Sequence, residues 1–270
     1  MAEEKRASLA ICYCNEKKMN TELLAKQIRI SSLKMCHEAK ASHIGSCLSC
    51  ADILAVLYNE ILQKDDKLII SKGHCAAAVY SVMHFSGRKG HGIAHSDLEE
   101  YSQDGSHLGG HVTCGKGDVE FSTGSLGHGL PVACGMAIAN RKQRVFCLMG
   151  DGETNEGSVW EAARFASEQK LENLIVIIDN NKLQSFSKCN DKLNVKFDAF
   201  GWSIKVTSGH NIDRLKHTFM NLKEHHLHKP ICVICHTVKG KGVSSMENSL
   251  DYHYKYPNDE ELKLALEELK

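Results

Sequence analysis

The sequence predicts an α/β protein: a parallel sheet with helices on both faces. Three observations carry this. From residue 144 onward, strand-length apolar runs alternate with helix-period segments: RVFCLM, SVWEAARFASEQK, NLIVIID, SIKVTS, a helix over 211–227, PICVICHTV and DEELKLALEEL. Strands buried on both faces read as near-continuous apolar runs, which is how parallel strands covered by helices are written. The chain has 270 residues, 42% hydrophobic and 24% charged, enough to bury a sizeable core. It has only three prolines, with no Pro- or Ser-rich linker and no internal repeat. One domain over residues 20–270 is therefore expected, after an unassigned segment 1–19.

The first half is read element by element. Residues 20–37 place Leu23, Leu24 and Ile28 on one stripe, which predicts a helix. CADILAVLYNEIL repeats apolar residues at Ile53, Leu54, Leu57 and Ile61, again at helix spacing. KLIIS is a short strand, and a helix over about 75–85 follows. Residues 87–124 are rich in Gly and His and weakly periodic, so loops are expected. LGHGLPVACGMAIANR, rich in small residues, predicts a tightly packed helix. Between NLIVIID and SIKVTS a loop and a short helix are expected. Right-handed crossovers bring the strand tips to one edge of the sheet. Asp151, the run Asp179-Asn180-Asn181 and the segment after Val238 all emerge there.

Charge and cysteine usage exclude several classes. The 33 basic and 33 acidic residues balance, so neither a nucleic-acid surface nor a charged tail is expected. No apolar run approaches the ~20 residues that cross a bilayer. The N-terminus lacks the apolar core of a secretory signal, and a cytoplasmic protein is expected. Twelve cysteines include Cys47/Cys50 and Cys232/Cys235 at metal-like spacing. Residues three apart in a strand point to opposite faces, so Cys232 and Cys235 would chelate poorly. Cys47 and Cys50 open an apolar helix, where small packing residues suit. Buried thiols in a reducing compartment are the better reading. Cys12 and Cys14 stay unassigned.

The chemistry concentrates at MGDGETNEG, residues 149–157. Glycines flank Asp151 directly after a strand, and ligands of parallel sheets bind at strand ends. An aspartate there holds a metal or a nucleotide-sugar hydroxyl. Asn181 follows the next strand, 30 residues later. A carboxylate, a side-chain amide and nearby carbonyls are hard ligands suited to Mg²⁺ or Ca²⁺ rather than zinc. The Gly152 N–H, before a helix, favours an anion. Together they describe a metal-bridged diphosphate site. Sixteen histidines, several in Gly-rich loops at the same edge, offer proton transfer near neutral pH. No G-x-G-x-x-G follows the first strand, which excludes a plain dinucleotide-binding dehydrogenase.

The pattern GDG…E.NEG…(N)LI.I.DNN resembles the thiamine-diphosphate-binding motif, and the wider match is to transketolases. ASHIGSCLSCADILAVLY, DKLIISKGHCAAAVYSVMHFSG, GGHVTCGKGDVEFSTGSLGHGLPVACGMAIA and HTVKGKGVSSMEN extend the resemblance over roughly residues 20–265. It implies the thiamine-diphosphate-binding fold. It also implies a metal, Mg²⁺ or Ca²⁺, held by Asp151 and Asn181 through side chains and by Leu183 through its carbonyl. Gly152 and His74 would meet the diphosphate, and Gly124 and Leu126 would line the cofactor pocket. His43 and His111 resemble histidines that face substrate hydroxyls, and His253 one near both diphosphate and substrate. Glu156 resembles the glutamate at the cofactor interface between chains.

The implied reaction transfers a two-carbon ketol unit from a ketose to an aldehyde. A chain of this length resembles only the diphosphate-binding half. A second subunit carrying the pyrimidine-binding and C-terminal domains is therefore implied, in a hetero-tetramer acting on a sugar or sugar phosphate. Three departures from the family point to an unusual substrate. Only Gln63–Asp66 precede KLIIS, Ser185-Phe186-Ser187 follow DNNKLQ, and Tyr252-His253-Tyr254 stand where relatives often have Trp-His-Gly. A 2-oxoacid dehydrogenase α subunit shares the GDG…NN site, but SHIG, SKGH and VKGKGVSSMEN favour the transketolase branch. Deoxyxylulose-phosphate synthase is a single long chain, and a non-catalytic scaffold would not need intact metal and histidine positions.

Overall fold

A computed structural model describes residues 19–87, 92–184, 187–188, 192–222 and 228–270. Cys12, Cys14, Ser185 and Phe186 lie outside the described residues, as does the end of the helix expected over 211–227. The helices are α1 (Thr21–Glu38), α2 (Ile44–Val56), α3 (Ala76–Phe85), α4 (His95–Glu99), α5 (Gly129–Ala139), α6 (Gly157–Glu168), α7 (Leu193–Ala199), α8 (Ile212–Met220) and α9 (Asp259–Glu268). The strands are β1 (Lys67–Ile70), β2 (Val145–Gly150), β3 (Leu174–Asn180), β4 (Ser203–Ser208) and β5 (Ile231–His236). Side chains start several helices. Asn20, Asn211 and Asn258 accept N–H bonds from Leu23, Arg214 and Glu261 at 3.1, 2.9 and 2.9 Å.

All strand pairs are parallel, in the order β1-β2-β3-β5-β4. The alternating faces of each strand feed two cores. Phe146, Leu148, Ile175, Ile177, Ile231, Val233 and Cys235 face one core with α1, α2, α3 and α8. Val145, Cys147, Met149, Val176, Ile178, Cys232 and Ile234 face the other with α5, α6 and α7. Right-handed crossovers explain this division. Between β1 and β2 the chain lays α3 and α4 on the first face before α5 on the second, and the steps from β2 to β4 then advance with α6 and α7 on the second face. The step from β4 back to β5 reverses direction and therefore places α8 on the first. Cys232 and Cys235 do point to opposite faces, and the described cysteines are free thiols.

Two expectations are corrected. The segment 87–124 is not all loop: α4 forms within it and buries Leu98 alone, too little apolar pattern to be read in advance. Ile44–Ile61 is apolar enough by composition to cross a membrane, but 94% of it is buried in the fold, every residue of α2 included. The same helix ends in one wider turn, Leu57–Ile61.

Candidate active site at the carboxyl edge of the sheet

Asp151 follows β2 and caps a short turn, Gly152–Asn155. It is 2% exposed. Its Oδ1 accepts the Gly152 N–H at 2.8 Å and its Oδ2 the Lys182 N–H at 2.5 Å. The loop after β3 is thereby drawn onto Asp151. Lys182 adopts a left-handed backbone, φ 62°, a strain that functional loops commonly hold. Asn181 is buried, and its Oδ1 accepts the Leu183 N–H at 3.0 Å, leaving a second lone pair. The Gly152 N–H, expected to meet an anion, is engaged by Asp151 here. A Cβ on Gly152 would come within 2.8 Å of Gln184, so only glycine fits between the two loops. Burial, then the charge of Asp179, push the Asp151 carboxyl up to about 6.

Around it lies a cleft lined by Lys72, His74, Leu126, Glu156, Lys239 and His253 among others. His43, His74, His111 and His253 come together from four segments. The ring of His43 lies 5.3, 5.6 and 5.0 Å from those of His74, His111 and His253. His43 sits at the start of α2 in a left-handed conformation, φ 73°, and its N–H reaches the His253 carbonyl at 3.0 Å. Gly124 is exposed beside the histidine cluster, and a Cβ there would stand 3.4 Å from the His111 ring. Burial first, then the neighbouring His111, Lys239 and Lys72, lower the His43 imidazole to about 4. Burial, Lys239 and His43 lower His253 to about 3. Burial lowers His74, and partial desolvation lowers the more exposed His111. At neutral pH the four rings are uncharged.

The transketolase thiamine diphosphate binding domain matches residues 20–269. The chain belongs to the transketolase family. It is 40% identical over 269 residues to one subunit of the apulose-4-phosphate transketolase of Actinobacillus succinogenes, covering 92% of this chain and 95% of that one. The subunit of the same name from Phocaeicola vulgatus is 35% identical over 266 residues, covering 92% and 93%. Campylobacter jejuni transketolase superposes with a TM-score of 0.85 at 30% identity, covering 93% of this chain and 43% of that one. The chain thus spans less than half of that transketolase.

Sequence reasoning missed the buried charges beneath this transketolase site. Lys72, 1% exposed, pairs with Asp179 and donates to the Ser46 carbonyl at 3.2 Å. Asp179 also accepts from Ser49 at 2.5 Å and from Thr237. Burial opposes both charges, and their mutual attraction overrides it: the Lys72 ammonium is held up and the Asp179 carboxyl down. Glu153, 1% exposed, accepts from Ser71, from Gly127 N–H at 2.9 Å and from Gly150 N–H at 3.3 Å. Lys239, 1% exposed, reaches Nδ1 of His253 at 2.8 Å; burial and Lys72 pull it down to about 8. The signal available was SKGH and VKGKG, where a lysine precedes or follows a glycine at a strand end. Among the described residues no group of three His, Cys, Asp or Glu is placed to hold a metal.

Proposed function

We propose that this chain is the diphosphate-binding subunit of a two-chain transketolase that moves a two-carbon ketol unit from a ketose to an aldehyde. One observation carries the reading. A hard-oxygen donor set, two buried ammonium groups and a neutral histidine cluster converge on one cleft at the carboxyl edge of the sheet. The residues fit a metal diphosphate. Asp151 is a buried carboxylate whose charge Asp179 opposes, and a divalent cation would hold it ionised. Asp151, Asn181 and the Leu183 carbonyl would hold Mg²⁺, or Ca²⁺. Lys72, Lys239 and the start of α2 at Ser46 would offset the diphosphate charge.

Bound thiamine diphosphate supplies an electron sink for cleavage of the donor's C–C bond. The chain's own residues orient substrate and move protons. Lys239 donates to Nδ1 of His253, so His253 keeps its proton on Nε2 for a substrate hydroxyl. Nδ1 of His43 is hydrogen-bonded to the Ser42 hydroxyl at 3.1 Å, which orients that ring. Neutral imidazoles of this kind exchange protons with sugar hydroxyls. His43, His111 and His253 are the catalytic set; His74, Gly124, Leu126 and Gly152 face the cofactor.

Exposed Glu156 would meet a second subunit with the pyrimidine-binding and C-terminal domains, in a hetero-tetramer. The names of the two apulose-4-phosphate transketolase relatives, each called a subunit, support a partner and a phosphorylated ketose as donor class. We assign residues 20–270 to one domain, and the free thiols support a reducing, cytoplasmic setting. The test is reconstitution with the partner subunit, thiamine diphosphate and Mg²⁺. Acceptor-dependent ketol transfer from ketose donors is expected. Carbon dioxide release from a 2-oxoacid, with no ketol transfer, would move the chain to the dehydrogenase branch.

A further inference from the structure

The segment that carries Lys239 into the cleft is gripped from behind by one buried carboxylate. Asp52 is the only charged residue of α2. Its oxygens accept from the Arg29 guanidinium of α1 at 3.0 and 2.6 Å. Its Oδ2 also meets Nδ1 of His210 at 2.7 Å. On the far side of that ring, Nε2 accepts the Val238 N–H at 2.7 Å. A backbone N–H only donates, so Nε2 is bare and the ring's proton sits on Nδ1, donated to Asp52. Arg29 Nε in turn donates to the Lys241 carbonyl at 3.0 Å.

Asp52 therefore holds the chain on both sides of Lys239: at Val238 through His210, and at Lys241 through Arg29. Burial would raise the Asp52 carboxyl, but the His210 hydrogen bond and the Arg29 charge outweigh it and hold it below its ordinary value. The lysine stem lies against Gly45, where a Cβ would come within 3.1 Å of the Lys239 Cγ. A lysine head on a flexible four-carbon stem is placed only as well as its backbone is.

We infer that His210 and Asp52 are positioning residues that set where the Lys239 ammonium meets the diphosphate. The inference rests on reading the cleft as a diphosphate site, and the test separates the two. Magnesium with inorganic diphosphate is titrated calorimetrically into the full chain, with melting of the unliganded protein followed in parallel. His210→Asn keeps a donor toward Asp52 and loses the acceptor for Val238. Its affinity should fall about tenfold, the low end for residues that orient a ligating group. His210→Gln places an amide oxygen near the Nε2 position and should recover most of the loss. In a Lys239→Met background the Asn substitution should change little, because contacting residues are coupled and the lysine head is the route of the effect.

Equal loss in both backgrounds, or no loss in either, would overturn the positioning role alone. Wild-type chain that ignores magnesium diphosphate would overturn the diphosphate reading and this inference with it. Nitrogen NMR of wild-type His210 needs no variant: an Nδ1–H tautomer is expected, and an Nε2–H tautomer contradicts the relay.

Discussion

Asp151 is a carboxylate that its own surroundings oppose, and that makes it separable by mutation. Asp151→Asn keeps the shape and removes a charge that burial and Asp179 both disfavour. Its amide nitrogen would also face one of the two backbone N–H donors, Gly152 or Lys182, that the carboxylate accepts, so the two effects offset and the unliganded variant should melt near the wild-type temperature. Its affinity for magnesium with thiamine diphosphate should drop beyond about 100-fold, more than loss of an outer-shell partner. Calorimetry and a thermal melt on the same sample check both halves. The histidines carry a pH signature. Their folded values, about 4 for His43 and about 3 for His253, lie below the 6.5 of a free imidazole. Unfolded chains then bind protons that the fold refuses, so stability is full above pH 6.5 and is lost as pH falls toward 4. Asp151 and Glu153, both raised, act oppositely, but two carboxyls stand against four imidazoles. Urea midpoints at pH 7 and pH 5 should differ, with pH 7 higher; equal midpoints would refute the burial of these rings. That Asp151, Asn181, His74 and His111 share one edge was legible, because a glycine stands beside Asp151, His74 and His111 and because Asp151 and Asn181 follow strand ends; His43 and His253 have no such local signal. Lys72, Asp179 and Glu153 were not legible, since a buried ion pair and a buried carboxylate look like surface charge until the strands are placed side by side.

Among the elements, α5 is held against the end of β1 by contact too close for a side chain. A Cβ on Gly129 would fall 2.3 Å from both Cβ and Oγ of Ser71, whose hydroxyl donates to Glu153. Gly129→Ala should cost about 1–3 kcal/mol by overpacking. It should also loosen the Asp151 turn, seen as weaker cofactor retention beside a lower melting temperature. Unchanged retention would detach α5 from the site. The strands were readable because each is a short apolar run that fills both cores. The exception is informative: in SIKVTS, Val206 is 54% exposed, as an edge strand allows, and β4 does stand at the edge. That β5 inserts between β3 and β4 was not readable, because apolar runs fix burial and leave neighbour order to the handedness of the crossovers. Nor was the end of α2, where apolar spacing continues while the turn widens at Leu57–Ile61.

For the molecule as a whole, the chain holds the means to bind metal and diphosphate, and matches less than half the length of the Campylobacter jejuni transketolase. On its own it should bind magnesium with thiamine diphosphate and give no ketol transfer; adding the second subunit should restore turnover. Steady-state assays with and without the partner check this. Family membership was legible across most of the sequence because several motifs occur in order. The substrate was not, because the residues that depart from the family, Tyr252-His253-Tyr254 among them, carry no signature of one particular sugar. The most direct measurement is native mass spectrometry of this protein isolated undenatured from its own host, since it weighs partner and cofactor together. A complex with a second chain, thiamine diphosphate and a divalent ion is expected. A bare homo-oligomer, still bare after incubation with thiamine diphosphate and Mg²⁺, would contradict it.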